Sequence, residues 1–151
     1  MNDDPRSAPS GLAWTLHDDP PAADAALVDA GLGAANLAAA PLHAVQPLAC
    51  FARDAAGAVV GGAVGRTWGE CCELQQLWVA PTLRGRGIGS RLVGLFEARA
   101  MERGCLTCYL ETFSFQAPAF YRRLGYETRA EIAGFAPGIV KQLLLKTLAA
   151  P

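Results

Sequence analysis

The sequence predicts a mixed α+β fold: a mostly antiparallel sheet of six to seven strands, with a central β-α-β crossover and flanking helices. Three observations carry that prediction. The stretch from Leu74 to Thr112 reads strand, helix, strand, and is long enough for a parallel crossover, which is almost always right-handed. Hairpin-like strand pairs stand on either side of it, and hairpins are antiparallel. The chain has 151 residues, 52% hydrophobic and 18% charged, which suits one domain around one filled core.

The elements follow in order. Residues 1–12 read as a disordered tail, because "MNDDPRSAPSG" is acidic and rich in Pro and Ser. It has no basic start and no apolar segment, so it does not read as a signal peptide. Residues 13–151 read as a single domain with no internal repeat and no linker. "DDPPAADAALVDAGLGAANLAAAPLH" is Ala-rich and predicts one or two short helices broken at Gly31, Gly33 and Pro41. "PLACFARD", the turn "AAGA" and "VVGGAVGRTW" form a hairpin. "CELQQLWVA" is a third strand ended by Pro81. A helix follows from about Ile88 to Arg103, with Ile88, Leu92, Leu95, Phe96 and Ala100 on one face. Arg91, Glu97, Glu102 and Arg103 mostly avoid that face, and Gly104 is the stop. "CLTCYLET" is the next strand. "APAFYRRLG" is a short helix with Pro118 near its start and Gly125 past its end. "YETRAEIA" and "VKQLLLKTL" are the closing strands.

Net charge is -1, so no global basic field draws the chain to nucleic acid or to a membrane surface, and anion recognition must be local. No apolar run approaches the ~18 residues of a membrane span. Five cysteines, an odd number, and no export signal set the expectation of reduced thiols in the cytoplasm. Cys105 and Cys108 form a C-x-x-C, but inside a strand pattern, where residues three apart face opposite ways. They read as small buried hydrophobes, with no metal site expected. His17 and His43 have no metal-ligand partner at a useful spacing and read as non-catalytic.

The informative stretch is "LRGRGIGSRL", Leu83 to Leu92. It joins a buried strand to a helix N-terminus, where backbone N–H groups are unpaired and the helix dipole is positive. Gly85, Gly87 and Gly89 remove Cβ atoms, so phosphates can approach the backbone. Arg84, Arg86 and Arg91 supply charge suited to phosphate oxygens. The loop reads as a pyrophosphate cradle. A Walker loop is excluded, because no lysine occurs before Lys141. The dinucleotide fingerprint fails because Ser90 stands where its third glycine belongs. The pattern that fits is Arg-x-x-Gly-x-Gly, at Arg84, Gly87 and Gly89.

On these residues the chain resembles the GNAT family of N-acetyltransferases, in its small single-domain bacterial form. "LWVAPTLRGRGIGSRLVGLFEARA" is similar to the family's strand–loop–helix signature. "SFQAPAFYRRLGYE" resembles its second motif, a short tyrosine-bearing helix ended by Gly-Tyr. The likeness covers roughly Ala58 to Leu148, and the first third resembles the family only loosely. It implies a GNAT-like sheet, acetyl-coenzyme A as cofactor, and transfer of an acetyl group to a primary amine. It implies cofactor contacts at Leu77, Trp78, Val79, Arg84, Gly85, Arg86, Gly87, Ile88, Gly89, Ser90 and Tyr121.

Four tasks follow from that chemistry. Grip falls to the loop and to Leu77, Trp78 and Val79, which match the family's pantetheine-pairing strand; Trp78's own side chain reads as mostly core. A backbone N–H of that strand would face the thioester oxygen. The acid implied is Tyr121, whose plain alternative is a half-buried aromatic; a thiol of pKa ~8.5 needs only modest help to leave. Phe120 and Tyr126 read as packing residues, and Arg122 and Arg123 as either phosphate contacts or a solvated face. The base stays open. An ammonium of pKa ~10.4 costs about 4–5 kcal/mol to deprotonate at pH 7, and Glu73, Glu111 or a water relay could take the proton, with Gln75 and Gln76 at the inner positions of the strand. A small-molecule acceptor is favoured over a protein, its site walled by the segment carrying Asp24, Asp29 and Asn36. The alternative is a non-catalytic acyl-coenzyme-A-binding sensor or structural partner. "IVKQLLLKTL" reads either as an exposed sheet edge, which invites pairing, or as an ordinary internal strand, and the family resemblance implies a homodimer.

Overall fold

The computed structural model describes residues 11–148. Residues 1–10 of the expected tail lie outside the described residues. The chain divides after Leu42 into two compact units.

The first unit carries α1, a single helix of 18 residues from Ala22 to Ala39. The expected breaks at Gly31 and Gly33 do not occur. Each glycine costs about 1 kcal/mol relative to alanine in a helix, and the alanines and leucines around them offset it. The helix stops at Ala40, which is extended (φ -145°, ψ 151°) because Pro41 follows it.

Among the described residues the second unit holds six strands: β1 (Gln46–Arg53), β2 (Val59–Trp68), β3 (Cys71–Val79), β4 (Thr107–Phe113), β5 (Glu127–Ala133) and β6 (Val140–Thr147). The helices are α2 (Ile88–Glu102) and α3 (Pro118–Arg123). The sheet order is β1-β2-β3-β4-β6-β5. Only β3 and β4 are parallel; every other neighbouring pair is antiparallel. The mixed, mostly antiparallel sheet with its central crossover is therefore as expected. The β1–β2 turn is fixed by Asp54, whose Oδ1 accepts from the N–H groups of Ala56 and Ala58 at 2.9 Å.

Leu92, Val93, Phe96 and Ala100 of α2 pack on the sheet over Ala63, Cys72, Leu74, Leu110 and Leu144. Two positions depart from the helical pattern: Leu95 is 51% exposed, and Glu97 is only 8% exposed. Glu97 is inside because a tyrosine just before β5 and a lysine of β6 meet it there. Of the two readings of the late apolar strand, the internal one holds: β6 lies between β4 and β5, which hydrogen-bond it on both sides. Cys105 falls in the turn before β4 rather than in the strand, yet it is buried with Cys72 and Cys108. Among the described residues, no helix is long and apolar enough to cross a membrane.

Candidate active site

The site begins where the sheet comes apart. β3 and β4 pair only through Cys71–Glu73 and Thr107–Tyr109. Beyond Glu73, β3 stays on β2 and β4 stays on β6, and no ladder joins the two. A cavity of about 290 Å³ opens between them. Leu74, Gln75, Gln76 and Leu77 line one side, and Glu111 and Thr112 the other. Gln116, Ala117, Phe120 and Tyr121 complete it. The edge of β3 facing this cavity has no strand partner for its backbone.

A β-bulge shapes that edge. Val64 pairs with Gln76 and Gly65 with Leu74, so Gln75 is the extra residue. A bulge bends its strand and shifts the side-chain alternation by one. Cys72 and Leu74 face inward before it, and Leu77 and Val79 after it, which leaves Trp78 50% exposed. Trp78 is thus not a core residue. Gly65 permits the bulge: a Cβ there would lie 1.9 Å from the Glu73 carbonyl oxygen and 2.9 Å from the Phe96 ring.

The phosphate-directed loop follows β3. Pro81–Leu83 form one 3₁₀ turn, and Arg84 Nε donates to the Val79 carbonyl at 3.0 Å, tying the loop back to the strand. Gly85 and Gly87 have φ of 75° and 78°, and the space where their Cβ atoms would stand is open. Gly87 is the N-cap of α2 and offers no side chain to its free N–H groups, and the first turn carries no acidic residue. Arg86, Ser90 and Arg91 are exposed, and Ile88 packs against the core. Positive helix end, open backbone and arginines together fit an anionic group such as a pyrophosphate. Gly89 has a packing reason of its own, since its Cβ would stand 3.3 Å from the Phe120 ring.

Tyr121 lies on α3 and lines the cavity. Its ring is edge-on to Phe120 at 5.1 Å and to Tyr126 at 5.9 Å, and burial raises its phenol above the ordinary range. Arg122 turns the other way, its guanidinium donating to Gln142 Oε1 at 3.2 Å and Thr128 Oγ1 at 3.4 Å.

The two candidate bases separate. Glu73 accepts from Arg66 Nε at 2.7 Å and is not among the residues lining the cavity. Glu111 lines it, with Lys141 Nζ 2.5 Å from its carboxylate. The structure therefore brings Leu77, Glu111 and Tyr121 together and leaves Glu73, Trp78 and Val79 outside the lining. Thr112 and Gln116 also line it and were not anticipated. The Gln116 oxygen accepts from Thr112 Oγ1 at 3.1 Å and from the Phe113 N–H at 2.8 Å, which pins the turn after β4. No sequence signal marks Gln116. The bulge, by contrast, was visible in the slip of apolar positions from Cys72 and Leu74 to Leu77 and Val79.

The model of the acetyltransferase (GNAT) family matches residues 14–126. Blasticidin-S acetyltransferase of Streptomyces morookaense is 43% identical over 111 residues, covering 73% of this chain and 79% of that protein. The crystal structure of an acetyltransferase from Bacillus cereus superposes with a TM-score of 0.76 over 89% of this chain and 98% of that one, at 23% identity, which speaks for the fold. An aminoglycoside 6'-N-acetyltransferase complexed with coenzyme A matches with a TM-score of 0.60 at 25% identity, over 70% and 75% of the two chains. The family match runs through the bulged strand, the arginine–glycine loop and the Tyr121 helix alike, and the chain belongs to the acetyltransferase (GNAT) family, whose chemistry is acyl-coenzyme-A-dependent N-acetylation.

Proposed function

We propose that this chain transfers an acetyl group from acetyl-coenzyme A to a primary amine of a small molecule, by direct attack of the amine on the thioester. The observation that carries the reading is the cavity between the parted strands β3 and β4, with Tyr121 and Glu111 on its walls. Acetyl-coenzyme A supplies the activated acyl group.

The chain's own residues divide the work. Arg84 to Ser90 hold the pyrophosphate through backbone N–H groups and guanidinium charge. The unpartnered edge of β3, Leu77 to Val79, holds the pantetheine arm, and an N–H of the same edge donates to the carbonyl oxygen. Tyr121 donates its proton to the departing sulfur; a phenol is protonated at neutral pH, and burial raises its pKa further. Glu111, at the cavity wall, takes the proton of the amine. Support for a small acceptor comes from the relative named for blasticidin S and from the modest cavity. All five cysteines are free thiols, which suits a cytoplasmic enzyme.

Calorimetry with acetyl-coenzyme A tests the grip. The wild type is expected to bind, and Gly87→Trp, with a bulky side chain on a residue at φ 78°, to lose binding. A folded wild type that binds nothing would remove the reading. Release of coenzyme A with a panel of amines, blasticidin S included, then tests transfer; turnover with any of them rules out a non-catalytic binder.

A further inference from the structure

Tyr126, directly after the glycine that ends α3, is 2% exposed, and its hydroxyl is tied on two sides. It lies 2.8 Å from Glu97 Oε1 and 3.1 Å from Cys108 Sγ. The second oxygen of Glu97 accepts from Lys146 Nζ at 2.7 Å, and that ammonium stands 5.5 Å over the Tyr126 ring. One phenol thus gathers a carboxylate from α2, a thiol from β4 and an ammonium from β6, with Cys72 of β3 paired beside Cys108. A largely buried ion pair of this kind is a poor stabiliser, because desolvation cancels much of its attraction. Its value lies in geometry, since a fully satisfied buried network permits one arrangement.

What it arranges is the neighbouring tyrosine. The Tyr126 N–H donates to the Tyr121 carbonyl at 3.1 Å. The Tyr126 ring stands edge-on to the Tyr121 ring at 5.9 Å and 75°, and Phe120 closes the other side at 5.1 Å and 74°. A helix of six residues cannot hold a side chain in place by its own stability. Glu97 also belongs to α2, whose N-terminus is the proposed pyrophosphate end, so one network links that helix to Tyr126.

We propose that Tyr126, anchored by Glu97, Lys146 and Cys108, is a positioning residue that fixes the Tyr121 hydroxyl in the cavity for proton donation. The proposal rests on Tyr121 acting as the acid. The groups facing Tyr126 are Glu97 from α2, Cys108 from β4 and Lys146 from β6, and the Glu97–Lys146 pair leaves little net charge beside it.

The chain has three tyrosines, so 3-fluorotyrosine labelling gives a short ¹⁹F spectrum in which Tyr121→Phe assigns the Tyr121 line. In Tyr126→Phe, the Tyr121 titration midpoint is expected to fall towards that of free 3-fluorotyrosine, as the ring loosens into water. Turnover with the best amine of the panel falls about 10-fold through misplacement, while acetyl-coenzyme A binds within about twofold of wild type. Glu97→Gln keeps an acceptor for the hydroxyl but removes the charge that holds Lys146, and gives a smaller shift in the same direction. A Tyr126→Phe protein with a lower melting temperature but an unmoved Tyr121 line and unchanged turnover would overturn the proposal, leaving Tyr126 a packing residue. Full turnover by Tyr121→Phe would sink the acid role itself, and the purpose of the anchor with it, and is read separately from the resonance.

Discussion

Glu73 and Glu111 both end strand segments near the cavity, and their neighbours give them different work. Glu73 is gripped by Arg66 at 2.7 Å, and Gln75 Nε2 stands 3.4 Å from the same oxygen. A carboxylate so occupied holds two strands together. Glu111 reaches the cavity wall and is 53% exposed, with a single ammonium beside it. Its proton exchange with water is open, as a general base requires. Glu111→Gln is therefore expected to lower kcat by about 10- to 100-fold, with the acidic limb of the pH–rate profile lost. Glu73→Gln releases an Arg66 that is itself 52% exposed, a half-solvated pair worth about 1 kcal/mol or less. Steady-state profiles of both variants decide the matter: an acidic limb surviving in Glu111→Gln would hand the proton to a water relay.

At the scale of the element, the bulge in β3 does more than any single side chain. It places the extra residue, Gln75, at the point where β3 leaves β4, and it turns Leu77 rather than Trp78 inward. Gly65 makes this possible, because any Cβ there collides with backbone. Gly65→Ala should cost about 1–3 kcal/mol by overpacking, or a melting temperature several degrees lower at about 2–4 °C per kcal/mol, with turnover falling alongside. Gly94→Ala is the matched control. That residue lies on the exposed side of α2 with nothing within 4 Å, and alanine's helix propensity should raise the melting temperature slightly. Local signals explain what could be read beforehand. Strands, the hairpin turn, the arginine–glycine loop and the α3 helix with its tyrosine are written in neighbouring residues. The inward turn of Glu97 is not, because its partners Tyr126 and Lys146 stand far along the chain. Nor is the interior place of β6, which depends on where β5 docks. The unbroken α1 has a different cause: Gly31 and Gly33 are local breaking signals, whereas helix propensity adds over the whole segment.

Across the whole molecule, buried acids of high pKa set how stability answers to pH. Burial raises the thiols of Cys50 and Cys105 and the phenols of Tyr121 and Tyr126, while the hydrogen bond between Cys72 and Cys108 raises the first thiol and lowers the second. In the unfolded chain these groups release protons near ~8.5 for thiols and ~10 for phenols. Below both values folded and unfolded chains hold the same protons, and the contribution to stability is fully present. As pH climbs through the unfolded values, the unfolded chain sheds protons that the folded chain keeps. The unfolded state then binds fewer protons, and stability falls with rising pH. Urea midpoints should accordingly stay level from about pH 6 to 8 and drop steeply from about pH 8.5 to 10.5. Cys105→Ala removes one such group and should make the alkaline fall shallower, whatever it does to the midpoint at pH 7. A midpoint that holds level to pH 10.5 would mean that these thiols and phenols titrate as they do in water, and that the packing between α2 and the sheet is looser than the buried Phe96, Cys105 and Tyr126 require.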